Sequence, residues 1–139
     1  MSKSTGMGWT TLSVDTSGGT LTDIRNDVTN FNFATPRAVQ DVTGVDKSAM
    51  ERLLLLADFS ITLNGVFNDA ASKSHAVLKT VSSTSVLRTT SLSVTGTTGA
   101  NTLSCECLYS DYALTRAADG SLVWTSPGVL ADGTVPTWG

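Results

Sequence analysis

The residues that could carry chemistry are few, and their spacing offers no catalytic constellation. His75 is the single histidine, and no serine, cysteine or carboxylate stands at a spacing that would make it a partner in nucleophilic catalysis. Asp23 and Asp27 would share one face of a strand and could form an acid/base pair, but nothing around them marks a cleft. Asp46 and Asp58 could offer oxygens to a cation, yet the spacing of a calcium loop is missing. We therefore expect a protein that is not an enzyme and that uses no metal ion or cofactor.

Three further groups of residues invite a chemical role, and each has a structural explanation. Cys105 and Cys107 would face one side of a strand, too far apart for a relaxed disulfide. Two thiols without further Cys or His make a weak metal site, so we interpret them as reduced, small buried hydrophobes. Residues 96–99 (GTTG) lack the Lys and the following helix of a phosphate-binding loop. Packing in a core or an interface is preferred over a sugar-binding platform for the three tryptophans, Trp9, Trp124 and Trp138.

Length and composition predict one ordered domain over residues 1–139, with a modest core. Charged residues make up only 15% of the chain and the net charge is −3, so a basic grip on nucleic acid is not expected. Ser and Thr are roughly a quarter of the residues, which suits a β protein with a polar, charge-poor surface. The first six residues lack the apolar core of a signal peptide, and no apolar run approaches the length of a membrane span. We expect a protein retained in a cytosol and not bound to a membrane.

The hydrophobic pattern predicts a mainly β fold. Residues 58–67 alternate with Phe59, Ile61 and Leu63 on one face, and residues 85–95 and 101–116 are further strand candidates. In residues 21–34 the apolar positions change parity, which predicts a β-bulge near Thr29. Near the end of the chain, Asp119-Gly120 is typical of a tight hairpin turn, and residues 132–133 repeat the Asp-Gly pair.

Two segments are predicted to be helical. Residues 48–51 (SAME) match a capping box that would open a helical turn into the leucines at 53–56. Residues 72–81 carry an apolar stripe at helical spacing, with His75 turned towards solvent. Together these elements predict an antiparallel β-sandwich or barrel with one short outer α-helix.

Some strands have too many apolar side chains on their second face for one small domain. In residues 101–116, Leu103, Cys105, Cys107 and Tyr109 occupy one face, while apolar side chains also occupy the other. Such a strand has to be covered twice, and the simplest cover is another copy of the same chain.

The order and spacing of several segments resemble a known family. A strand ending in Val42-Thr43, a helical turn with Arg52 and Leu53, and residues 58–67 (DFSITLNGVF) are similar to the mid-section of the major tail tube proteins of long-tailed, siphovirus-like bacteriophages. Residues 113–138 resemble the end of the same proteins, particularly of an actinobacteriophage-type branch. The likeness covers most of residues 21–139.

That resemblance implies a structural virion subunit. Such subunits form hexameric rings, the rings stack into a hollow tail tube, and the tube is the conduit for genome ejection. Each subunit contributes strands to a ring-wide β-barrel. The partners would be further copies of the chain, the tape measure protein, other tail proteins and DNA in transit. The subunit would be assembled in the cytoplasm of the bacterial host.

Within that interpretation, uncharged hydroxyl and amide side chains would let DNA slide because they do not hold phosphates. The candidates for a lumen face or a neighbour's wall are Ser60, Thr62, Asn64, Thr89, Ser91 and Ser93. Residues 1–8 and 131–139 would be docking arms between stacked rings.

Two other functions are compatible with the composition. A monomeric β-sandwich module could bind carbohydrate or another surface ligand through exposed Trp, although such a module predicts a secretory route. A small hydrolase would need a catalytic constellation that the residues do not offer. A tube subunit would polymerise, whereas a module would stay a 14.5 kDa monomer.

Overall fold

A computed structural model describes residues 3, 5–94 and 101–139. The predicted loop at residues 96–99 and part of the predicted arm at residues 1–8 lie outside the described residues. Strands account for 47% of the structure, and the expectation of a mainly β, antiparallel protein with one short helix is confirmed. The described strands are β1 (Thr11–Asp15), β2 (Leu21–Asp23), β3 (Val28–Ala34), β4 (Arg37–Asp41), β5 (Arg52–Ala57), β6 (Ser60–Val66), β7 (Arg88–Ser93), β8 (Thr102–Tyr109), β9 (Ala113–Arg116) and β10 (Leu122–Leu130), and the helix is α1 (Ser74–Leu78).

Eight of the described strands form one antiparallel sheet in the order β2-β1-β7-β8-β10-β6-β3, with β9 also paired to β10. The β9–β10 hairpin turns at Asp119-Gly120, as predicted, and Gly120 adopts φ +93°, which a side chain would disfavour. In the described part of the chain, the end strands β2 and β3 do not pair to close the sheet into a barrel.

The core lies on one face of this sheet, and strand alternation selects its residues. Phe59, Ile61 and Leu63 are buried, as their spacing predicts. The largest buried side chain is Trp124 of β10, whose indole N–H donates to the Val66 carbonyl at 2.8 Å. Leucine and valine side chains from β1, β7, β8 and α1 complete the same cluster.

The predicted bulge near Thr29 is confirmed. The register of β3 against β6 shifts between Val28 and Asn30. Beyond the shift, Phe31 opposes Leu63, and the following residues continue in step along β6. The bulge therefore allows the parity change that the apolar residues of this segment show.

The predicted strand over residues 101–116 is two strands. β8 ends at Tyr109, and β9 starts at Ala113. The break lies opposite Ser126 and Pro127 of β10, where the Ser126 hydroxyl donates to the Asp111 carbonyl at 2.7 Å and the Ser110 N–H donates to the Pro127 carbonyl at 3.3 Å. These two contacts replace regular pairing at the break.

The helical turn predicted for residues 48–56 is wrong, because residues 52–57 form strand β5. Leu54 opposes Val39 of β4, and the Arg37 guanidinium donates to the Leu55 carbonyl. The Thr43 hydroxyl accepts the Glu51 N–H at 2.8 Å, so the last residue of the apparent capping box closes a hairpin. A four-residue helix signal is too short to outweigh a paired strand.

The predicted amphipathic helix over residues 72–81 is confirmed in shorter form as α1. Ser74, Val77 and Leu78 are buried, as the apolar stripe predicts. The first turn is fixed by the buried Asp27, whose carboxylate accepts the Ser74 N–H at 2.9 Å. The buried Arg88 of β7 donates to the Val77 carbonyl at 2.8 Å and thereby ties the last turn to the sheet.

Candidate interaction surfaces

The six residues expected on a lumen face or a neighbour's wall point away from the core. On β6 they alternate with the buried Ile61 and Leu63, and on β7 with the buried Thr90 and Leu92. Ser60 is exposed, and the other five are half-buried: Thr62, Asn64, Thr89, Ser91 and Ser93.

The helix lies on the other side of the sheet from these residues. Arg88 points into the core and reaches Val77 of α1. Because neighbouring side chains of a strand point to opposite faces, Thr89 and Ser91 cannot lie under the helix. The six residues belong to a face that is free of the helix in the described part of the chain.

On the β7–β8 half of this face, hydroxyl groups pair across the strands. The Ser104 hydroxyl donates to Ser91 at 3.1 Å, and the Ser93 and Thr102 hydroxyls lie 2.9 Å apart. Such cross-strand pairs each stabilise a sheet by a few tenths of a kcal/mol up to about 1 kcal/mol. Hydrogen bonds between the paired hydroxyl groups therefore fix the positions of these side chains.

Two carboxylates accompany the β7–β8 half: Glu106 of β8 and the buried Asp15 at the end of the neighbouring strand β1. The Thr89 hydroxyl donates to Glu106, and the Thr89 N–H donates to the Asp15 carboxylate at 3.2 Å. This half therefore combines hydroxyl groups with carboxylates. The sequence pattern did not show which of the six candidate residues would lie beside a carboxylate.

The β3–β6–β10 half carries an uncharged network around Asn64. The Asn64 amide donates to the Asn30 side-chain oxygen at 2.9 Å, and the Thr125 hydroxyl donates to the Asn64 side-chain oxygen at 2.8 Å. Sequence reasoning missed Asn30 and Thr125 as members of this surface. Only the strand register brings them together, and the register is not readable from one sequence.

A second surface is the β4–β5 hairpin, which projects from the main sheet as a separate two-stranded sheet. All five residues of β4 and the first five of β5 are exposed. Leu54 is 59% and Leu56 is 87% exposed, although both are strongly hydrophobic. A two-stranded sheet with its leucines in water is marginal by itself, and exposed leucines of this kind make the hairpin a candidate interaction surface.

The residues considered for chemistry occupy structural positions. The prediction that His75 faces solvent is wrong: it is half-buried, its ring lies 4.8 Å from Phe67, and its Nδ1 is 3.2 Å from the Tyr112 hydroxyl. Asp27 is buried and accepts the Asn68 amide at 2.8 Å besides the helix N–H. Asp23 is exposed and pairs with an arginine instead, so the two carboxylates do not share a site.

The Asp23 carboxylate forms an ion pair with the Arg25 guanidinium at 2.9 Å. Partial burial raises the pKa of Asp23, but the hydrogen bonds from Arg25 outweigh that effect and hold the pKa below its usual value. The same guanidinium donates to the Thr10 carbonyl at 2.7 Å. Arg25 therefore anchors the turn after β2 to the start of β1.

The two cysteines are free thiols in different surroundings. Cys107 is buried, whereas Cys105, also expected to be buried, is only half-buried in the middle of β8. The hydrogen bond with Cys107 lowers the pKa of Cys105, and the same bond together with burial raises the pKa of Cys107. Cys107 fits the expected role of a small buried hydrophobe.

The three tryptophans do not form a shared platform. Trp124 lies in the core, while Trp9 packs edge-on against Phe31 at 4.9 Å and Trp138 lies 6.0 Å from Phe33. No set of three His, Cys, Asp or Glu side chains close enough to hold a metal ion occurs among the described residues. Nor does the described part of the chain include a helix long and apolar enough to cross a membrane.

Comparison with known proteins gives a fold match and no sequence match. No family model and no curated protein matches the chain. Among solved structures, a chain from the tail of an empty gene transfer agent particle, refined with helical and C6 symmetry, is similar with a TM-score of 0.71 and 15% identity, covering 99% of both chains. A chain from the virion of a native gene transfer agent particle is similar with a TM-score of 0.65 and 12% identity, covering 92% of this chain and 95% of that one. The chain has the fold of these particle components.

Proposed function

We propose that this protein is a structural subunit of a phage tail, and that it forms hexameric rings that stack into a tail tube for genome ejection. The observation that carries the proposal is the exposed β4–β5 hairpin, because its leucines require a cover that the described part of the chain does not provide. The fold shared with the chain of a C6-symmetric tail supports a neighbouring copy as that cover.

Unpaired sheet edges support the same assembly. Within the described residues, β3 pairs only with β6 and β2 only with β1, so each leaves one edge of backbone N–H and C=O groups free. Free edges favour pairing with another chain. In a ring each edge would meet the edge of a neighbour, and the sheets would join into one ring-wide barrel.

The lumen is assigned to the uncharged β3–β6–β10 half of the polar face. Neutral Asn and Thr side chains offer no cation to a phosphate, so DNA in transit would not be held there. The β7–β8 half, with Asp15 and Glu106, would face a neighbour or the lumen margin. The siphovirus type, the tape measure protein as a partner and assembly in the host cytoplasm belong to this proposal through the sequence resemblance.

Size measurement of the purified chain tests the assembly. We expect rings or long polymers by negative-stain electron microscopy and by light scattering after size exclusion. A stable 14.5 kDa species at all concentrations would contradict the proposal and favour a monomeric binding module.

Thiol protection tests the lumen assignment. Thr62→Cys is introduced in a background without Cys105 and Cys107, and a maleimide carrying a polymer too large to enter the tube is added. We expect labelling of the free subunit and protection in the tube. The matched variant Ser83→Cys lies in the exposed turn after α1 and should be labelled in both states. Equal labelling of Thr62→Cys in both states would refute the assignment.

A further inference from the structure

The segment after β10, residues 132–139, forms a strap that returns to β8. The Ala131 N–H donates to the Glu106 carbonyl at 3.1 Å. At the other end, Thr102 and Gly139 exchange both backbone hydrogen bonds at 2.9 Å, and Trp138 bridges Leu103. The strap therefore occupies the side of β8 that β10 leaves open, because β10 pairs only with residues 107–109.

The strap packs loosely on its own subunit. A cleft of about 150 Å³ that is open to solvent lies between the strap and β8, lined by both strap and strand side chains, among them Cys105, Glu106, Asp132 and Thr134. Along this cleft the strap is not in tight contact with the strand. Val135 is 61% and Trp138 is 51% exposed, so the two large apolar side chains of the strap are only partly covered.

The start of the strap has the geometry of a hinge. Gly133 adopts φ +75°, and the Asp132 carboxylate accepts the Thr134 N–H at 3.0 Å. This turn directs the chain back to β8. If the turn straightened, the eight residues from 132 to 139 could extend about 26–29 Å, several times the ~4.8 Å that separates paired strands.

We infer that the strap is exchanged between copies in the assembled state. The strap of one subunit then crosses to the next subunit, where Trp138 and Gly139 pair with Leu103 and Thr102 of β8 as they do in the closed form. A second copy is the fitting occupant because its strap is identical and can reproduce each hydrogen bond that the closed strap makes, so exchange loses no contacts. The part-exposed Val135 and Trp138 would gain cover at the new interface. The inference rests on the proposed function, since the exchange needs an adjacent copy.

A reversible disulfide tests the exchange. Thr102→Cys and Gly139→Cys are combined in a Cys105→Ser, Cys107→Ala background. Two residues that exchange both backbone hydrogen bonds have Cα atoms about 5.5 Å apart, which suits a disulfide, and a Cβ added at Gly139 meets no atom within 4 Å. Oxidation of the free subunit should lock the strap closed.

With the strap locked, we expect at least a tenfold loss of assembled tubes, restored by reduction. When the reduced variant is assembled first and then oxidised, we expect a ladder of covalent oligomers in a denaturing gel. Tubes that form normally from the locked subunit, or a gel with only monomers after oxidation of tubes, would overturn the exchange and leave the tail-tube proposal intact. Failure of both the parent and the reduced variant to assemble would overturn both proposals.

A mixing experiment tests the exchange with single variants, in which no subunit can form the disulfide within itself. Subunits with Thr102→Cys alone are assembled with subunits carrying Gly139→Cys alone, in the same background, and the tubes are oxidised. Exchange predicts covalent dimers in the mixture and none when either single variant is oxidised by itself. Tubes of the mixture that yield only monomers would refute the exchange.

Discussion

Replacing two exposed leucines of the β4–β5 hairpin should abolish assembly and leave the subunit folded. The change is Leu54→Thr with Leu56→Thr, because both side chains are exposed on β5 and Thr retains a high β-propensity. Leu54 is 59% and Leu56 is 87% exposed, so together they offer about one and a half leucine side chains for burial by a neighbour.

The expected magnitude follows from that exposed area. Burying a leucine side chain stabilises an interface by about 1.5–3 kcal/mol, so the pair should contribute roughly 2–4 kcal/mol per subunit contact. This range corresponds to a loss of about 30-fold to 1,000-fold in the association constant at 25 °C. The concentration needed for half-maximal assembly, measured by light scattering, should rise by that factor.

Two controls distinguish loss of an interface from loss of the fold. The free energy of unfolding of the double-variant subunit, measured with denaturant, should stay within about 0.5 kcal/mol of the parent because exposed side chains contribute little to the core. Leu87→Thr, at a leucine that is 45% exposed in the segment before β7, should change assembly less. Normal assembly of the double variant would refute the assignment of the hairpin to an interface.

Three other perturbations have defined outcomes. Gly65→Ala should destabilise the subunit by about 1–3 kcal/mol in denaturant unfolding, because the added Cβ would lie 2.2 Å from the Asp27 carbonyl oxygen; a change below about 0.5 kcal/mol would contradict this packing. Burial raises the pKa of Tyr109 above its usual value, so its contribution to stability should be complete below about pH 10 and fall as the pH rises further; Tyr109→Phe should lessen that fall, and an unchanged alkaline profile would argue against it. A maleimide should react with Cys105 and leave Cys107 unlabelled in the native subunit, as mass spectrometry of peptides can show; equal labelling of both would mean that the strap and β8 open together.

Strand alternation, turn chemistry and the bulge were readable from the sequence. Phe59, Ile61 and Leu63 face the core because period-2 burial is a local property of a strand. The Asp119-Gly120 turn follows from the freedom of Gly at positive φ, and the parity change before Phe31 required a bulge. These features depend on residues that are neighbours along the chain.

Tertiary pairing decided the remaining features. Residues 52–57 form a strand because β4 offers a partner through Val39, and this pairing outweighs a short helix signal. The network around Asn64 joins three strands that are distant in sequence, and the strap meets β8 from the far end of the chain. These contacts depend on the register between strands that are distant in sequence and on where the end of the chain folds back. Neither is encoded in the pattern of neighbouring residues.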